Sequence, residues 1–202
     1  MVRGTFSPAR AWRPAVVARL ARTLGRMNTL RATLCILEPL TATHAAELFE
    51  ALSDPAIYEF EGEPPPSLER LESGLRRREA RLTPDGKTIL DWAVRTNDSR
   101  IAGYVQATLH PDSTAYISYE LASAFWRQGI GSAAVGRMLE ELSATYAVAK
   151  FVAVLKSANF RSLGLLRKLG FVAGSEADAE VYEATADELT LVKVALPSSP
   201  KL

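Results

Sequence analysis

Residues 117–139 read ISYELASAFWRQGIGSAAVGRML, and this stretch decides the fold. Its first residues are typical of a strand, and a helical pattern begins near Ser132. Gly129 and Gly131 permit a tight turn that brings the main chain close to a ligand. A helix start also offers unpaired N–H groups and the positive end of the helix dipole. The stretch therefore predicts either a simple tight turn or a cradle for a pyrophosphate group.

Two other phosphate-binding motifs do not fit this stretch. No Gly-Lys-Ser/Thr follows the glycines, which excludes a Walker A loop. The stretch lies after several predicted strands and not in an opening βαβ unit, which argues against a dinucleotide fingerprint.

The elements around this stretch predict one α+β domain. Three strand candidates with short polar connections precede it and indicate an antiparallel meander, and the prolines at 64–66 exclude a helix or a central strand there. The predicted strands are 32–38, 89–95, 100–109, 114–121, 151–155, 171–173 and 188–196. The predicted helices are 44–52 (capped by Thr43), 67–81, 132–146 and 160–169, the last with Gly170 as its C′ residue.

Composition narrows the class of protein. The chain has 202 residues, 48% of them hydrophobic, which suits one soluble globular domain. A single cysteine, Cys35, excludes an intramolecular disulfide framework and a multi-cysteine zinc site, and its apolar surroundings predict a buried, inert thiol. Two histidines exclude a His-rich metal cluster, and no apolar run reaches the roughly 18 residues of a membrane helix. We expect a cytoplasmic protein without a metal or a membrane partner.

The two termini differ from the body of the chain. Seven arginines precede the first carboxylate, Glu38, although the net charge of the whole chain is +1. Residues 1–31 therefore form a basic extension that is disordered, a transit peptide, a helix that touches RNA or a membrane surface, or a start-site artefact preceding Met27. Residues 32–196 form the domain, and residues 197–202 form a frayed tail.

Two motifs resemble the GNAT superfamily of N-acetyltransferases. Residues 128–133 (QGIGSA) match its Gln/Arg-x-x-Gly-x-Gly/Ala signature at every defined position. Residues 159–162 (NFRS) and 168–171 (KLGF) resemble its Asn-x-x-Ser…Leu-Gly-Phe element. Phe125-Trp126 and the opening at 37–40 are similar to the RimJ/RimL-like subgroup, which acetylates ribosomal-protein N-termini.

The resemblance implies a mixed, mostly antiparallel sheet that splays at the site of acetyl-CoA, the acetyl donor. The pantetheine arm is expected along Leu121, Ala122 and Ser123, and Asn159 is expected to bond the same arm or simply to cap its helix. The pyrophosphate is expected at the remaining candidates, Arg127, Gln128, Gly129, Ile130, Gly131, Ser132 and Ala133.

The resemblance also implies the reaction, a direct attack of a primary amine on the thioester. Ser162 is the candidate proton donor, because the subgroup often has serine where other members place a helix tyrosine. Leu165 and Leu166 stand in the turn where that tyrosine would fall, so a tyrosine acid from this helix is not available. Glu120 is the candidate base, but Tyr119 and Glu120 face opposite sides of a strand and only one can face the acceptor. A main-chain N–H near Leu121 or Ala122 is expected to stabilise the oxyanion.

Several alternatives remain open at this point. The acceptor is a protein N-terminus or a small-molecule amine, and the protein is a monomer or a homodimer. A second hypothesis is a CoA-binding sensor or interaction domain whose chemistry has lapsed. A third is an RNA- or ribosome-associated protein tethered by the basic extension, although we do not expect a nucleic-acid partner.

Overall fold

The computed structural model describes residues 27–60, 62–79 and 87–195. Its strands are β1 Leu30–Arg31, β2 Cys35–Pro39, β3 Thr88–Thr96, β4 Ile101–Leu109, β5 Thr114–Leu121, β6 Lys150–Lys156, β7 Val172–Ala173 and β8 Glu188–Val194. Its α-helices are α1 Ala45–Leu52, α2 Leu68–Arg78, α3 Ile130–Tyr146, α4 Phe160–Lys168 and α5 Glu176–Val181. Short 3-10 turns lie at Ala42–His44, Pro55–Tyr58 and Ser123–Phe125. None of the helices in these ranges has the length and apolarity of a membrane span.

The strands form one mixed sheet in the order β1-β2-β3-β4-β5-β6-β8-β7. Neighbouring strands run antiparallel except β5 and β6, which are parallel. The predicted meander is the β3-β4-β5 part of this sheet, and the parallel pair is the point at which the chain crosses over through α3.

Helices cover both faces of the sheet, and strand alternation divides the core accordingly. Trp92 packs on the side of α3 and α4, whereas its neighbour Ala93 packs on the side of α1 and α2. The first side holds the larger cluster, with Met138 of α3 and Leu166 of α4 buried against the strands. Leu48 of α1 and Leu75 of α2 fill the second, smaller cluster.

Most predicted elements are present, and the helix starts differ for local reasons. Thr43 does not cap α1, because the chain first makes a 3-10 turn whose N-cap is Thr41. Helix α3 begins at Ile130, two residues before the predicted start, since Gly129 with φ of 82° provides the N-cap. Gly170 follows α4 with φ of 84°, as predicted. The short helix α5 was not predicted, although Ser175 and Asp178 form a capping box at its start.

The described chain packs onto the domain from Met27 onward. Met27 and Leu30 are buried in the larger cluster, and β1 pairs with β2. The Trp92 indole donates to the Asn28 carbonyl over 3.1 Å. Most of the predicted basic extension, together with residues 196–202, lies outside the described residues. Cys35 is fully buried, as predicted, and burial raises the pKa of its thiol to about 11.

Candidate active site

The centre of the sheet contains a gap between the two parallel strands. Among the described residues, β5 and β6 pair at three positions, from Thr114 with Lys150 to Tyr116 with Val152. Beyond these positions β5 continues along β4 as far as Leu121, and β6 continues along β8 as far as Lys156. The two strands therefore diverge after Tyr116 and leave facing main-chain edges.

Hydrogen-bond alternation determines which amides line the gap. The Ala122 N–H donates to the Ala102 carbonyl over 2.9 Å, so even-numbered residues of β5 bond toward β4. The odd-numbered residues Tyr119 and Leu121 consequently turn their main-chain groups toward β6. The Trp126 indole already donates to the Leu121 carbonyl over 2.6 Å. The groups that face the gap thus include the Leu121 N–H and both main-chain groups of Tyr119.

The three residues predicted to line the pantetheine path are therefore not equivalent. Leu121 directs its amide into the gap, whereas the Ala122 amide belongs to the β4 ladder. The Ser123 amide donates to the Asp54 carboxylate over 2.6 Å.

The turn into α3 presents main-chain amides, and its N-cap residue, Gly129, has no side chain to accept from them. Arg127 and Gly129 both have positive φ, of 60° and 82°, which bends the chain sharply before the helix. The Ala133 amide donates to the Gly129 carbonyl over 3.0 Å and begins the helical ladder. The amides of residues 130–132 precede that ladder, and the first turn has no acidic residue. This helix start is electrostatically suited to an anion.

Other residues of the signature shape the turn. The Gln128 side-chain amide donates to the Ala124 carbonyl over 2.7 Å, and Ile130 is buried in the core. A Cβ on Gly131 would lie 2.8 Å from Leu165 Cδ1 and 3.1 Å from Leu121 Cδ1. Gly131 therefore lets α3 approach β5 and α4 closely. Because the Ile130 side chain is buried and Gly131 has none, these two residues can contact a ligand only through their main chain.

Tyr119 and Glu120 occupy opposite faces of β5, as predicted. The Tyr119 hydroxyl lies 3.5 Å from the Ser162 carbonyl, and burial raises its pKa to about 12. Glu120 is directly opposite Tyr104 in the β4–β5 ladder. Burial, and then the nearby Glu120 carboxylate, raises the pKa of Tyr58 and Tyr104. Glu120 thus lies on the α1–α2 face beside two tyrosines, and Tyr119 lies on the α4 face.

Asn159 and Ser162 lie together at the start of α4. The Asn159 amide donates to the Lys156 carbonyl over 2.8 Å, which fixes the turn after β6. Its side-chain oxygen accepts from the Ser162 amide over 3.1 Å and caps the helix. The half-buried Ser162 is therefore held at the β6 side of the gap, next to the Tyr119 hydroxyl.

Comparison with known proteins identifies this arrangement. A family profile described as "Acetyltransferase (GNAT) domain" matches residues 35–172, which is more than half of the chain. The chain belongs to the GNAT acetyltransferase family. The profile confirms the resemblance found in the sequence, and this GNAT protein is an acetyl-CoA-dependent N-acetyltransferase.

Solved GNAT structures share the fold at low sequence identity. A ribosomal L7/L12 α-N-protein acetyltransferase, RimL, in complex with coenzyme A matches with TM-score 0.69 and 16% identity, over 83% of this chain and 98% of that chain. A ribosomal-protein-S5-alanine acetyltransferase from Vibrio fischeri matches with TM-score 0.68 and 17% identity, over 87% and 100%. A spermidine N-acetyltransferase chimera from Vibrio cholerae and hSSAT gives TM-score 0.66 and 15% identity, over 80% and 96%. A comparison with curated proteins finds no match.

The acetyl donor of GNAT domains suits the residues present at this site. Acetyl-CoA combines an amide-containing arm with a pyrophosphate. The gap supplies main-chain edges for the arm, and the carboxylate-free start of α3 supplies amides for an anion.

A segment after α1 contacts both sides of the gap in this GNAT domain. We call residues 54–60 the strap. Asp54, at its start, accepts from the Ser123 amide after β5. Hydrogen bonds from the Ser123 hydroxyl and amide hold the pKa of Asp54 below its ordinary value. Near the other end of the strap, Glu59 pairs with Arg161 of α4, which follows β6.

Arg161 fixes that end of the strap within an aromatic cluster. Its guanidinium carbon lies 4.4 Å from the Trp126 ring centroid, 5.1 Å from that of Phe60 and 5.2 Å from that of Phe160. These distances are typical of cation–π contacts. Arg161 of α4 therefore contacts both the strap and Trp126, which lies just before the turn into α3.

Proposed function

We propose that this GNAT enzyme transfers acetyl from acetyl-CoA to the α-amino group of a protein N-terminus by direct attack. The observation that carries the proposal is the gap between β5 and β6, which opens beside a helix start without carboxylates. On one face this gap has Glu120, and on the other it has the Tyr119 hydroxyl beside Ser162.

The donor is held mainly by main-chain groups in this proposal. The pantetheine arm pairs with the main-chain groups of Tyr119 at the edge of β5, the thioester lies at the Leu121 amide, and the Asn159 side chain lies near the same arm. The pyrophosphate accepts from the amides of residues 130–132, and the exposed Arg127 adds a positive charge nearby. Of the predicted binding residues, Ala122, Ser123, Gln128 and Ala133 support the shape of the site, because their bonds lie within the protein.

The choice of an α-amine follows from its acidity. An α-amino group has a pKa of about 7.7–8.0, so roughly a tenth of it is neutral at pH 7, whereas a lysine amine with a pKa near 10.4 is almost entirely charged. A single carboxylate such as Glu120 suffices to take the proton that an attacking α-amine releases. The ribosomal-protein acetyltransferases among the structural neighbours support the same class of acceptor.

The residues divide the chemistry between the two faces of the gap. Glu120 accepts the amine proton as the new C–N bond forms, and the Leu121 amide donates to the developing oxyanion. Ser162 then donates a proton to the thiolate that leaves when the C–S bond breaks. The Tyr119 hydroxyl lies beside Ser162 and remains protonated at neutral pH, because burial raises its pKa to about 12. Cys35 takes no part, since its thiol is buried and its pKa is raised.

Two measurements test this proposal. Calorimetry with coenzyme A measures donor binding, and thiol release with acetyl-CoA and a peptide measures transfer. A peptide with a free N-terminus should be acetylated, and the same peptide with a blocked N-terminus and a free lysine should not. Donor binding without transfer to any amine would indicate the lapsed sensor instead. Preferential transfer to the lysine or to a polyamine would overturn the α-amine assignment.

A further inference from the structure

A groove runs along one side of α2. It has a volume of about 330 Å³ and lies between Pro65 and Pro66 on one side and α2 on the other. Leu71 contributes to an apolar floor. A groove of this size holds a few side chains of a partner.

Three arginines surround this apolar floor. Arg70 and Arg77 are exposed and stand two turns apart on one face of α2, and Arg78 lies at the inner end. The guanidinium of Arg77 donates to the Ser73 hydroxyl over 2.7 Å. No carboxylate lines the groove among the described residues. The groove runs along about 12 Å of the helix, and its positive charge comes from Arg70 and Arg77, because Arg78 pairs with the buried Asp91.

Gly74 gives the groove its depth. It is in the interior of α2, where glycine costs about 0.5–1 kcal/mol relative to alanine. A Cβ at this position would meet nothing closer than the end of the Arg77 side chain, at 3.9 Å. The helix has room for an alanine there, so packing inside the protein does not explain the glycine. A side chain larger than alanine would fill the space between Arg70 and Arg77.

The inner end of the groove reaches the face of the sheet that carries Glu120. Arg78 pairs with the buried Asp91 at 3.4 Å, and its guanidinium carbon lies 5.9 Å from the Tyr104 ring centroid. Tyr104 is the cross-strand partner of Glu120. The inner end of the groove is thus separated from Glu120, the residue that we propose as the base, by the Tyr104 side chain.

We propose that this groove binds acidic side chains that follow the acetylated N-terminus, so that the preferred acceptors are proteins with acidic N-terminal segments. This inference rests on the function proposed above. An extended chain advances about 3.3–3.6 Å per residue, so the groove spans three to four residues of the acceptor. Arg70 and Arg77 bind their carboxylates, and the floor around Leu71 packs against the aliphatic parts of the same segment.

The test compares two peptides that differ in charge but not in shape. One begins Ala-Asp-Glu-Asp and the other Ala-Asn-Gln-Asn, with the same neutral sequence after these residues. We expect the wild-type enzyme to have a kcat/KM about tenfold higher for the acidic peptide, and added salt should reduce this preference. The double variant Arg70→Ala/Arg77→Ala should raise KM for the acidic peptide alone and leave kcat unchanged.

Matched variants separate the groove from the general charge of α2. Arg76→Ala removes one positive charge from the same helix, as Arg77→Ala alone does, but Arg76 pairs with Glu72 and does not line the groove, so the preference should persist in Arg76→Ala and weaken in Arg77→Ala. Gly74→Leu fills the groove without changing its charge and should raise KM, whereas Gly74→Ala should not.

The outcomes distinguish the two proposals. Equal kcat/KM for both peptides, or a preference that survives in the double variant, would overturn the groove assignment and leave N-terminal acetylation intact. If neither peptide is acetylated although coenzyme A binds, the proposed function fails and the groove assignment fails with it.

Discussion

The Asp54 carboxylate accepts a 2.6 Å hydrogen bond from the Ser123 amide and so attaches the strap to the end of β5. Asp54 also accepts from the Ala56 amide over 3.0 Å, and it thereby caps the short 3-10 turn within the strap. One carboxylate therefore fixes both the conformation of the strap and its position relative to the end of β5.

This bond should depend on pH in a defined direction. The pKa of Asp54 is lowered in the folded protein, so the bond stabilises the fold above the ordinary pKa of about 3.9 and is lost as pH falls through the folded value. At neutral pH, Asp54→Asn should speed amide hydrogen exchange in residues 56–60, since Pro55 has no amide hydrogen. Glu63→Gln, which neutralises an exposed carboxylate, should have no such effect. Unchanged exchange in Asp54→Asn would show that the strap is held elsewhere.

The φ of 82° at Gly129 predicts a specific sensitivity of the cradle. Alanine at this position must adopt a left-handed conformation, which costs about 1–2 kcal/mol, and its Cβ would lie 3.1 Å from Leu34 Cδ1. Gly129→Ala should lower the free energy of unfolding by that amount and weaken coenzyme A binding in calorimetry.

Gly136→Ala is the matched control in the same helix. A Cβ there would make an ordinary contact of 3.5 Å with Leu169, so both stability and binding should be retained. Equal behaviour of the two variants would contradict the role assigned to the Gly129 turn.

Glu120→Gln tests the proposed base. General-base catalysis typically contributes 10²–10⁴-fold, so we expect kcat to fall by about 10² or more with little change in coenzyme A affinity. The remaining activity should rise with pH until the acceptor amine is neutral, near pH 8. A variant with the wild-type pH profile would exclude Glu120 as the base.

Ser162→Ala and Tyr119→Phe test the proton donor. We expect Ser162→Ala to lower kcat by about 10², with a smaller loss in Tyr119→Phe, because the Tyr119 hydroxyl acts beside Ser162. The double variant should lose less than the product of the single losses, since the Tyr119 hydroxyl contacts Ser162 and neighbouring residues do not act independently. Should Tyr119→Phe prove the more damaging change, the tyrosine is the donor.

The buried start of the described chain predicts a loss of stability. Leu30 is 2% exposed, so Leu30→Ala should reduce the free energy of unfolding by about 2–5 kcal/mol in urea titrations. Leu34→Ala, at a position 39% exposed, should change it far less. Equal effects would mean that β1 contributes little to the core.

The sequence predicted the features that depend on neighbours along the chain. The turn at Gly129, the cap at Asn159 and the opposed faces of Tyr119 and Glu120 all follow from local geometry. Hydrophobic periodicity located the major helices and the central strands for the same reason. The predicted start of α3 was two residues too late, because hydrophobic periodicity alone does not decide whether Ile130 belongs to the turn or to the helix.

Features that join distant parts of the chain were not predicted. Asp54 and Ser123 are 69 positions apart, and Glu59 and Arg161 are 102 positions apart. No periodicity connects such residues, so their pairing becomes apparent only when the sheet has brought β5 and α4 together. For the same reason the sequence did not show that the Ser123 amide is bonded to Asp54, which lies outside the regular helices and strands.

The three residue pairs between β5 and β6 also give the enzyme a thermodynamic property. They join the β1–β5 part of the sheet to the β6–β8 part, which are also connected by helices and the strap. A donor molecule bound between β5 and β6 would add hydrogen bonds between these two parts. Ligand that binds only the folded state adds RT ln(1 + [L]/Kd), which is about 2.7 kcal/mol at a hundred times Kd. The melting temperature should therefore rise with coenzyme A concentration, and the folded lifetime of the enzyme in a cell would follow the local supply of its own substrate.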